Sequence, residues 1–545
     1  MKSATTWSAS PMALALNEDN SHFFCWHPRE EMSLAGLDTW LDQYVGTQVA
    51  DLLFCPNGQR SSVPSQVRQT VWDGFDPEQG NDQPFFQGMR DQPFLFPWGA
   101  RAHMRRWVEH AWLLHRQGID PYARWFARCR SSRIRPWLSM RMNDVHYVDE
   151  PNHPIHDRFW KEHPECRRDP ARDAYNGNCL DYGLPEVRTY QLAYVRELIA
   201  CYDVDGFELD WMRNPFHFKP GTEAAGCVIL SDFVGQVRRL LDARQRQVGH
   251  PIRLSARVPS RPETALGLGM DAVTWANRRL VDRLVISPFF STTEFDMPVE
   301  RWKALLQDTG TTLAAGLEIS VRMGAGAHTS AHTLETLRGA GSSLLDRRAD
   351  QIYLFNFMDN YPAGMMGDAY RRSVPAAAYR RMLGEIGDLD TIACRSRRHV
   401  VTSPDVWAPD EKPVSLLPRD CPAGGRAVFR IPAGPAPREL QEGQVRLALE
   451  PHETAGQTAW AVEVNGVPCR GIADVRLEPD GAEPVQAFAV PAGALQRGDA
   501  LVELRHDGPT AKRLIWVELA VSDGEGHWPV AGVEVTSLYP GWGRW

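Results

Sequence analysis

The sequence predicts a (β/α)8 TIM barrel followed by a C-terminal all-β sandwich domain. Eight short apolar runs alternate with amphipathic stretches between residues 12 and 385. Helical periodicity stops near residue 395, and alternating strand patterns follow. Strands that alternate with helices are typical of a parallel α/β sheet, and eight repeats suit a closed barrel. An open doubly wound sheet is the alternative, and the lack of a glycine-rich phosphate loop after the first run disfavours it.

The predicted barrel strands are apolar-rich, with β-branched or aromatic residues, and end in polar residues. This pattern is typical of a buried parallel strand that leads into a loop. The eight runs occupy residues 12–20, 49–57, 134–146, 204–215, 252–260, 281–290, 312–322 and 350–360.

Helical patterns lie between these runs. In residues 185–202, Pro185 suits the first helical position. One face of this predicted helix carries Val187, Tyr190, Tyr194 and Leu198. Further apolar stripes with helical spacing occupy residues 230–244, 299–306 and 333–345.

We predict two domains, a barrel over residues 1–394 and a β-sandwich over residues 395–545. Two long insertions, residues 58–100 and 147–184, follow strand ends, where barrel enzymes build their sites. The C-terminal strand patterns include GQVRLALE, DALVELRH and RLIWVELAVS, and Asn465-Gly466 is one of the turn signals between them. Such an ancillary domain commonly binds carbohydrate or packs against its neighbour.

Composition excludes several classes of protein. The chain has 545 residues, of which 43% are hydrophobic and 23% charged, so it can bury a core and is not disordered. A net charge of -8 argues against nucleic-acid binding. No apolar stretch is long enough for a membrane span. Composition does not decide whether the protein forms a homo-oligomer.

Cysteine usage bears on the compartment. The ten cysteines are scattered, with no C-x-x-C pair, which is neither a zinc pattern nor a dense disulfide framework. The N-terminal run resembles a signal peptide only weakly, because polar residues and Pro11 break it. We therefore expect free thiols and a cytoplasmic protein, or a periplasmic or secreted one if a signal has been removed. We expect no cofactor and no metal.

Polar residues close the predicted strands, and the carboxyl-terminal ends of barrel strands meet at one edge, where catalytic residues stand. In chain order they are Asn17, Asp19, Asn57, Arg141, Asn143, Asp144, His146, Glu208, Asp210, Arg213, Arg257, Ser287, Glu318, Arg322, Asn356 and Asp359.

Converging carboxylates suit hydrolysis of a glycosidic bond, which needs one protonated and one ionised group. Asp210 is the strongest candidate, and a buried ion pair with Arg213 is its structural alternative. Glu318 is the second, with a sugar-hydroxyl acceptor or a partner of Arg322 as alternatives. Asp144 and Glu208 are reserve catalytic candidates.

Four arginines end four strands: Arg141, Arg213, Arg257 and Arg322. They suit an acidic or heavily hydroxylated sugar, although neutralisation of the nearby carboxylates is the interpretation that we favour. The predicted substrate-binding residues are Arg141, Asn143, His146, Trp211, Arg213, Arg257, Asn356 and Asp19.

Aromatic and histidine residues are numerous near the predicted site. Candidate sugar platforms are Trp26, Trp72, Trp98, Trp211 and Trp275, with Trp211 best placed. His153 and His156 lie in a Pro-rich loop that suits a substrate rim better than a zinc site, since no metal-binding histidine spacing occurs. No G-x-S-x-G or Walker loop is present.

The stretch LDYGLPEVRTYQLAYVRELIACYDVDGFELDWMRNP, residues 180–215, resembles the core of a glycosyl-hydrolase-like (β/α)8-barrel family that includes bacterial enzymes cutting peptidoglycan glycan strands. The similar elements are Asp181, Gly183, Pro185 to Arg188, Tyr202 to Gly206 and Leu209 to Pro215; WANRRLVDRLVISPFFSTTEF, residues 275–295, is similar to the next signature of the family. The resemblance implies a glycosidase barrel in which Asp210 matches the strand-four carboxylate. Leu209-Asp210 stands where another clan of barrels has an Asn-Glu pair, so acid and nucleophile roles stay open between Asp210 and Glu318.

We therefore predict a glycoside hydrolase that acts on an oligo- or polysaccharide with a pair of carboxylates. A catalytically inactive carbohydrate-binding barrel is one alternative. A polysaccharide lyase or a metal-dependent hydrolase on the same fold is another.

Overall fold

Eight parallel strands close into a barrel in the computed structural model, which describes residues 14–90, 101–322, 329–357, 376–450, 460–472, 485–525 and 527–528. The barrel strands are β1 (Leu14–Glu18), β2 (Val49–Phe54), β3 (Arg135–Arg141), β4 (Gly206–Asp210), β5 (Arg253–Pro259), β6 (Arg283–Ser287), β7 (Thr312–Leu317) and β10 (Gln351–Phe355). Their order is β1-β10-β7-β6-β5-β4-β3-β2, and β2 pairs with β1 to close the ring. Two short strands, β8 (Ser320–Arg322) and β9 (Thr329–Ala331), form a hairpin after β7.

Helices connect the barrel strands, as the alternating pattern predicts. The helices are α1 (His22–Trp26), α2 (Leu34–Asp42), α3 (Arg101–Arg116), α4 (Pro121–Ser131), α5 (Arg158–Glu162), α6 (Pro185–Cys201), α7 (Glu223–Val248), α8 (Pro262–Gly267), α9 (Ala272–Asn277), α10 (Val299–Leu305), α11 (Leu334–Asp346), α12 (Ala376–Glu385) and α13 (Leu389–Ala393). Helix α6 begins at Pro185, which has no backbone N–H that the first turn would leave without a partner. None of the described helices is long and apolar enough to cross a membrane.

Two antiparallel sheets form a C-terminal β domain, which confirms the predicted fold class. Its strands are β11 (Arg397–Val400), β12 (Arg419–Cys421), β13 (Arg426–Gly434), β14 (Gly443–Glu450), β15 (Trp460–Val464), β16 (Val467–Pro468), β17 (Arg470–Ile472), β18 (Gln486–Val490), β19 (Gly498–His506) and β20 (Lys512–Val521). One sheet has the order β11-β20-β14-β18-β17, with β12 also paired to β20. The other has the order β13-β19-β15-β16.

The barrel interior is filled by side chains in layers. Near the amino-terminal ends of the strands, Asp51 accepts hydrogen bonds from Arg283 over 3.2 Å and from Gln351 over 2.9 Å. Above this layer, Trp137, Tyr353 and other buried side chains form an inner apolar cluster. The Trp137 ring occupies the space that a side chain at position 206 would need, so Gly206 makes room for it. The interior is a packed core rather than a channel.

The barrel packs against the β domain mainly through α11. A Cβ atom on Gly339 would lie 1.8 Å from the carbonyl oxygen of Arg398, so the close approach of helix and strand requires glycine. Ser343 in α11 contacts the Nδ1 atom of His399 over 3.0 Å and donates to the carbonyl oxygen of Pro432 over 2.5 Å.

Candidate active site

Strand register brings three predicted site residues to one level at the carboxyl-terminal edge of the barrel. Asp210 in β4 lies beside Arg141 in β3 and beside Arg257 in β5. The Nε atom of Arg257 donates to Oδ1 of Asp210 over 2.8 Å, and Nη2 lies 3.5 Å from Oδ2. The backbone N–H of Met212 also donates to Oδ1 over 3.0 Å. The ion-pair partner of Asp210 is therefore Arg257 rather than Arg213, because adjacent strands align these two side chains.

Arg257 is held on every side. It is fully buried, its Nη1 donates to the Ser287 hydroxyl over 2.9 Å, and its guanidinium carbon lies 3.7 Å from the centre of the Phe355 ring. The sequence predicts that Arg257 binds substrate, but in the structure its guanidinium is enclosed by protein groups. Asp210 and Ser287 take its hydrogen bonds, and the Phe355 ring covers a face of the guanidinium.

Glu318 follows β7 and is fully buried. Its Oε2 accepts a hydrogen bond from the backbone N–H of Ile319 over 3.3 Å. Its Oε1 has no hydrogen-bond partner among the described residues. Burial raises the pKa of the Glu318 carboxyl well above its usual range, Arg257 opposes this rise, and Asp405 adds to it. These surroundings favour the protonated form of Glu318.

A salt-bridge network lies beside Asp210 and includes its strand neighbour Arg141. Asp19 accepts hydrogen bonds from Arg141 and, over 3.2 Å, from Arg213. Arg141 also donates to Oδ2 of Asp144 over 2.8 Å. Burial alone would raise the pKa of Asp19, but Arg141 and Arg213 hold it below its usual range. The network supports the interpretation that the arginines neutralise carboxylates.

His146 extends from this network towards solvent. Its Nδ1 lies 2.9 Å from Oδ1 of Asp144, and its side chain is 39% exposed. Burial alone would raise the pKa of Asp144, but His146 and Arg141 hold it well below its usual range. An ionised Asp144 accepts from Nδ1 of His146 and so fixes the ring, which leaves Nε2 available for a hydrogen bond with a substrate hydroxyl.

Glu208 lies one layer deeper than Asp210 and is fully buried. Ser139 and Tyr353 donate to its Oε1 over 2.9 and 2.6 Å, and Ser255 donates to its Oε2 over 3.0 Å. Arg283 approaches to 3.8 Å. Burial raises the pKa of Glu208, and Arg283 opposes the rise. These four partners enclose the carboxyl group and tie strands together inside the barrel.

Two predicted substrate-binding residues serve packing instead. Asn143 uses its side-chain amide on the loops around Leu180 and Phe216, accepting from the Leu180 N–H over 2.9 Å. Trp211 is fully buried against Tyr182 and Trp275. Trp211 follows the strand immediately, but its ring lies in the core, where no sugar ring can stack on it.

The other aromatic and histidine candidates divide similarly. Trp26 and Trp275 are buried, Trp72 stacks on His115 at a centroid distance of 5.0 Å, and Trp98 lies outside the described residues. The suggestion that His153 and His156 form a substrate rim is wrong, because both are buried. In a separate position after β10, Asn356 contacts Arg213 over 3.4 Å, whereas Asp359 lies outside the described residues.

The sequence did not predict two residues that contact or act on Glu318, Thr293 and Asp405. The Thr293 hydroxyl accepts from the Glu318 N–H and donates to the Glu318 carbonyl oxygen, both over 2.9 Å. Asp405, which follows β11, accepts from the backbone of the loop after β6. Neither residue stands at the end of a barrel strand, so strand patterns offered no signal for them. Within the described ranges, no group of three or more His, Cys, Asp or Glu residues is arranged to hold a metal ion.

No known family model matches this chain, and no curated protein matches it. Among solved structures, it is similar to a cycloisomaltooligosaccharide glucanotransferase from Paenibacillus sp., with 10% identity and a TM-score of 0.34. That alignment covers 94% of this chain, which spans 58% of the glucanotransferase.

Two further structures belong to glycoside hydrolases. α-L-Fucosidase isoenzyme 1 from Paenibacillus thiaminolyticus has 11% identity and a TM-score of 0.33, with 91% of this chain and 97% of the fucosidase covered. The PgaB (BpsB) glycoside hydrolase domain from Bordetella bronchiseptica has 9% identity and a TM-score of 0.36, with 63% of this chain and 94% of that domain covered.

Proposed function

We propose that this chain is a glycosidase that hydrolyses glycosidic bonds of an oligo- or polysaccharide, with Glu318 as the general acid and Asp210 as the second carboxylate. The observation that carries the proposal is the contrast between their surroundings. Glu318 is buried with Oε1 unpartnered among the described residues, whereas Asp210 accepts hydrogen bonds from a guanidinium and a backbone amide. Two carboxyl groups in such different environments suit acid and base roles.

The chemistry follows from these contacts. Glu318 would give its proton to the glycosidic oxygen as the bond to the anomeric carbon breaks. Asp210 would stabilise the oxocarbenium-like transition state, and it would then act as nucleophile or as base towards water. Its Oδ2 keeps only a 3.5 Å contact with Arg257, so this oxygen is the freer of the two.

The salt-bridge network would hold the sugar. His146 is 39% exposed and Arg213 is 15% exposed, so both side chains can meet a substrate from solvent. Nε2 of His146 can form a hydrogen bond with one hydroxyl, and Arg213 can donate to another. We assign Asp144, Asp19 and Arg141 to the orientation of these two side chains, and Glu208 to the packing of the barrel.

The test is a panel of aryl glycosides and oligosaccharides, acidic sugars included, with anomeric protons followed by NMR. Glu318→Gln and Asp210→Asn should each reduce turnover about 10²-fold or more, because each removes a proton-transfer or charge-stabilising group. Glu223→Gln is the matched control, since Glu223 is a buried glutamate in the first turn of α7, where it accepts from the Gly221 N–H over 2.7 Å. The control should retain activity.

The pH dependence gives a second test. Glu318 must carry its proton to act as an acid, so turnover of the wild-type protein should fall as pH rises through the raised pKa of Glu318. Turnover unaffected by both substitutions would reject the proposal. Glycan binding without cleavage would favour an inactive binding barrel. Unsaturated uronate products would favour a lyase, and loss of activity with a chelator would favour a metal-dependent hydrolase.

A further inference from the structure

A segment outside the barrel reaches the proposed active site. Residues 401–418, here called the linker segment, lie between β11 and β12 and contact the segments that follow β5 and β6. Within it, Asp405 accepts three backbone hydrogen bonds from successive residues of the loop after β6. The donors are the N–H groups of Phe289, Phe290 and Ser291, at 2.7, 2.9 and 2.7 Å. One carboxylate therefore holds three consecutive amides in place.

The same loop, residues 288–295, carries the contacts onward to Glu318. The Ser320 hydroxyl donates to the carbonyl oxygen of Ser291 over 2.9 Å, and the Thr293 N–H donates to the Ser320 carbonyl oxygen over 2.8 Å. Thr293 then bonds both the N–H and the carbonyl oxygen of Glu318 over 2.9 Å. A continuous chain of hydrogen bonds thus joins Asp405 to the backbone of Glu318.

We infer that Asp405, supplied from beyond the barrel, is a positioning residue for Glu318: it fixes the loop that holds the Glu318 backbone and places a negative charge near its carboxyl group. This inference rests on the proposed function, in which Glu318 is the acid. It makes the barrel and the linker segment one catalytic unit, because the loop cannot keep this arrangement without an acceptor for its three amides.

Electrostatics agree with the geometry. The charged side chains with the largest effect on Glu318 are Arg257, Asp405 and Arg213. Burial is the largest cause of the raised pKa of Glu318, the two arginines oppose it, and Asp405 reinforces it. Burial raises the pKa of Asp405 itself, and the three loop amides oppose that rise. In its ionised form Asp405 disfavours loss of the Glu318 proton, so it helps to keep the acid protonated.

The test uses the full chain and does not depend on finding a substrate. The protein is labelled with ¹³C-carboxyl glutamate, and the Glu318 resonance is assigned by its loss in Glu318→Gln. Titration of wild type should place the Glu318 pKa well above the usual glutamate range. In Asp405→Asn, we expect that pKa to fall by roughly one pH unit. Amide hydrogen exchange at Phe289 to Ser291 should become about five- to tenfold faster.

Glu411→Gln is the matched control. Glu411 is a second carboxylate of the linker segment, and it accepts from Thr264 over 2.8 Å and from the Ala408 N–H over 2.7 Å, away from the loop after β6. Glu411→Gln should leave the Glu318 pKa and the amide exchange of the loop after β6 unchanged. Near-UV circular dichroism checks that each variant folds. If Asp405→Asn does not fold, Asp405→Ser removes the same charge while keeping an acceptor oxygen.

The two possible failures are distinct. A raised Glu318 pKa that stays the same in Asp405→Asn, with unchanged exchange, would overturn the role of Asp405 and leave the proposed function intact. A Glu318 that titrates in the usual glutamate range in wild type would instead remove it as the acid. Hydrogen exchange would still report whether Asp405 positions the loop.

Discussion

Arg257 donates a hydrogen bond to Asp210 over 2.8 Å, and both side chains are buried at the carboxyl-terminal edge of the barrel. The two residues are paired neighbours on β4 and β5, so the barrel register sets their contact. A buried ion pair costs desolvation energy and is stable only when its hydrogen bonds are satisfied. Here Ser287 and the Phe355 ring complete the surroundings of the guanidinium.

Replacing Arg257 with lysine should destabilise the protein. Lysine cannot contact Asp210 and Ser287 with a planar fork or stack on Phe355, so we expect Arg257→Lys to lower the free energy of unfolding by about 2 to 4 kcal/mol in urea. Arg430→Lys is the control, because Arg430 pairs with Asp499 on the surface and its side chain is 45% exposed. That change should cost less than about 1 kcal/mol. Equal costs would contradict the structural importance of the buried pair.

Glu294 should make stability depend on pH. It is buried, it accepts a 2.5 Å hydrogen bond from Ser260, and burial raises its pKa to about 7. The folded state therefore binds this proton more tightly than the unfolded state does, so its contribution to stability is present below about pH 4.5 and is lost as pH rises through 7.

Relative to wild type, Glu294→Gln should gain about 2 to 3 kcal/mol in the free energy of unfolding between pH 5 and pH 8. The glutamine stays neutral at both values, whereas the glutamate must ionise in the folded state. Urea unfolding of both proteins at the two pH values measures the difference. A stability difference that is the same at pH 5 and pH 8 would show that Glu294 does not titrate in this range.

Trp211 and His146 should behave in opposite ways. Trp211→Phe removes buried ring atoms from the core, so we expect a loss of about 1 to 3 kcal/mol in unfolding free energy with unchanged glycan affinity. His146→Ala removes a solvent-facing ring, so we expect weaker glycan binding and a stability change within about 1 kcal/mol. Urea unfolding and calorimetric titration with a glycan ligand measure the two properties. If Trp211→Phe lost glycan affinity but kept its full stability, Trp211 would be a substrate-binding residue and not a core residue.

Gly206→Ala should disturb the barrel interior. A Cβ atom at this position would lie 2.1 Å from Cε3 of Trp137, and the rigid ring is enclosed by other strands. We expect a cost of about 1 to 3 kcal/mol in unfolding free energy. Gly235→Ala in α7 is the control, because its Cβ would meet only ordinary contacts from 3.6 Å outward. Alanine there should stabilise the helix by up to about 1 kcal/mol, and destabilisation by both changes would point away from a specific clash.

The sequence by itself determined the barrel, the C-terminal β strands and the edge at which polar residues gather. Apolar periodicity is a local property, and it is written directly into runs such as the one that ends at Asp210.

Only the tertiary structure decided which partners meet. Arg213 is closer to Asp210 in sequence, but Arg257 contacts it because the pairing of two strands sets side-chain neighbours. Trp211 follows the catalytic candidate and still faces the core, since the chain turns directly after β4. Asp405 reaches the loop beside Glu318 from beyond the barrel. Hydrogen bonds and burial depend on the packing of segments far apart in the chain, and one sequence records no distances between them.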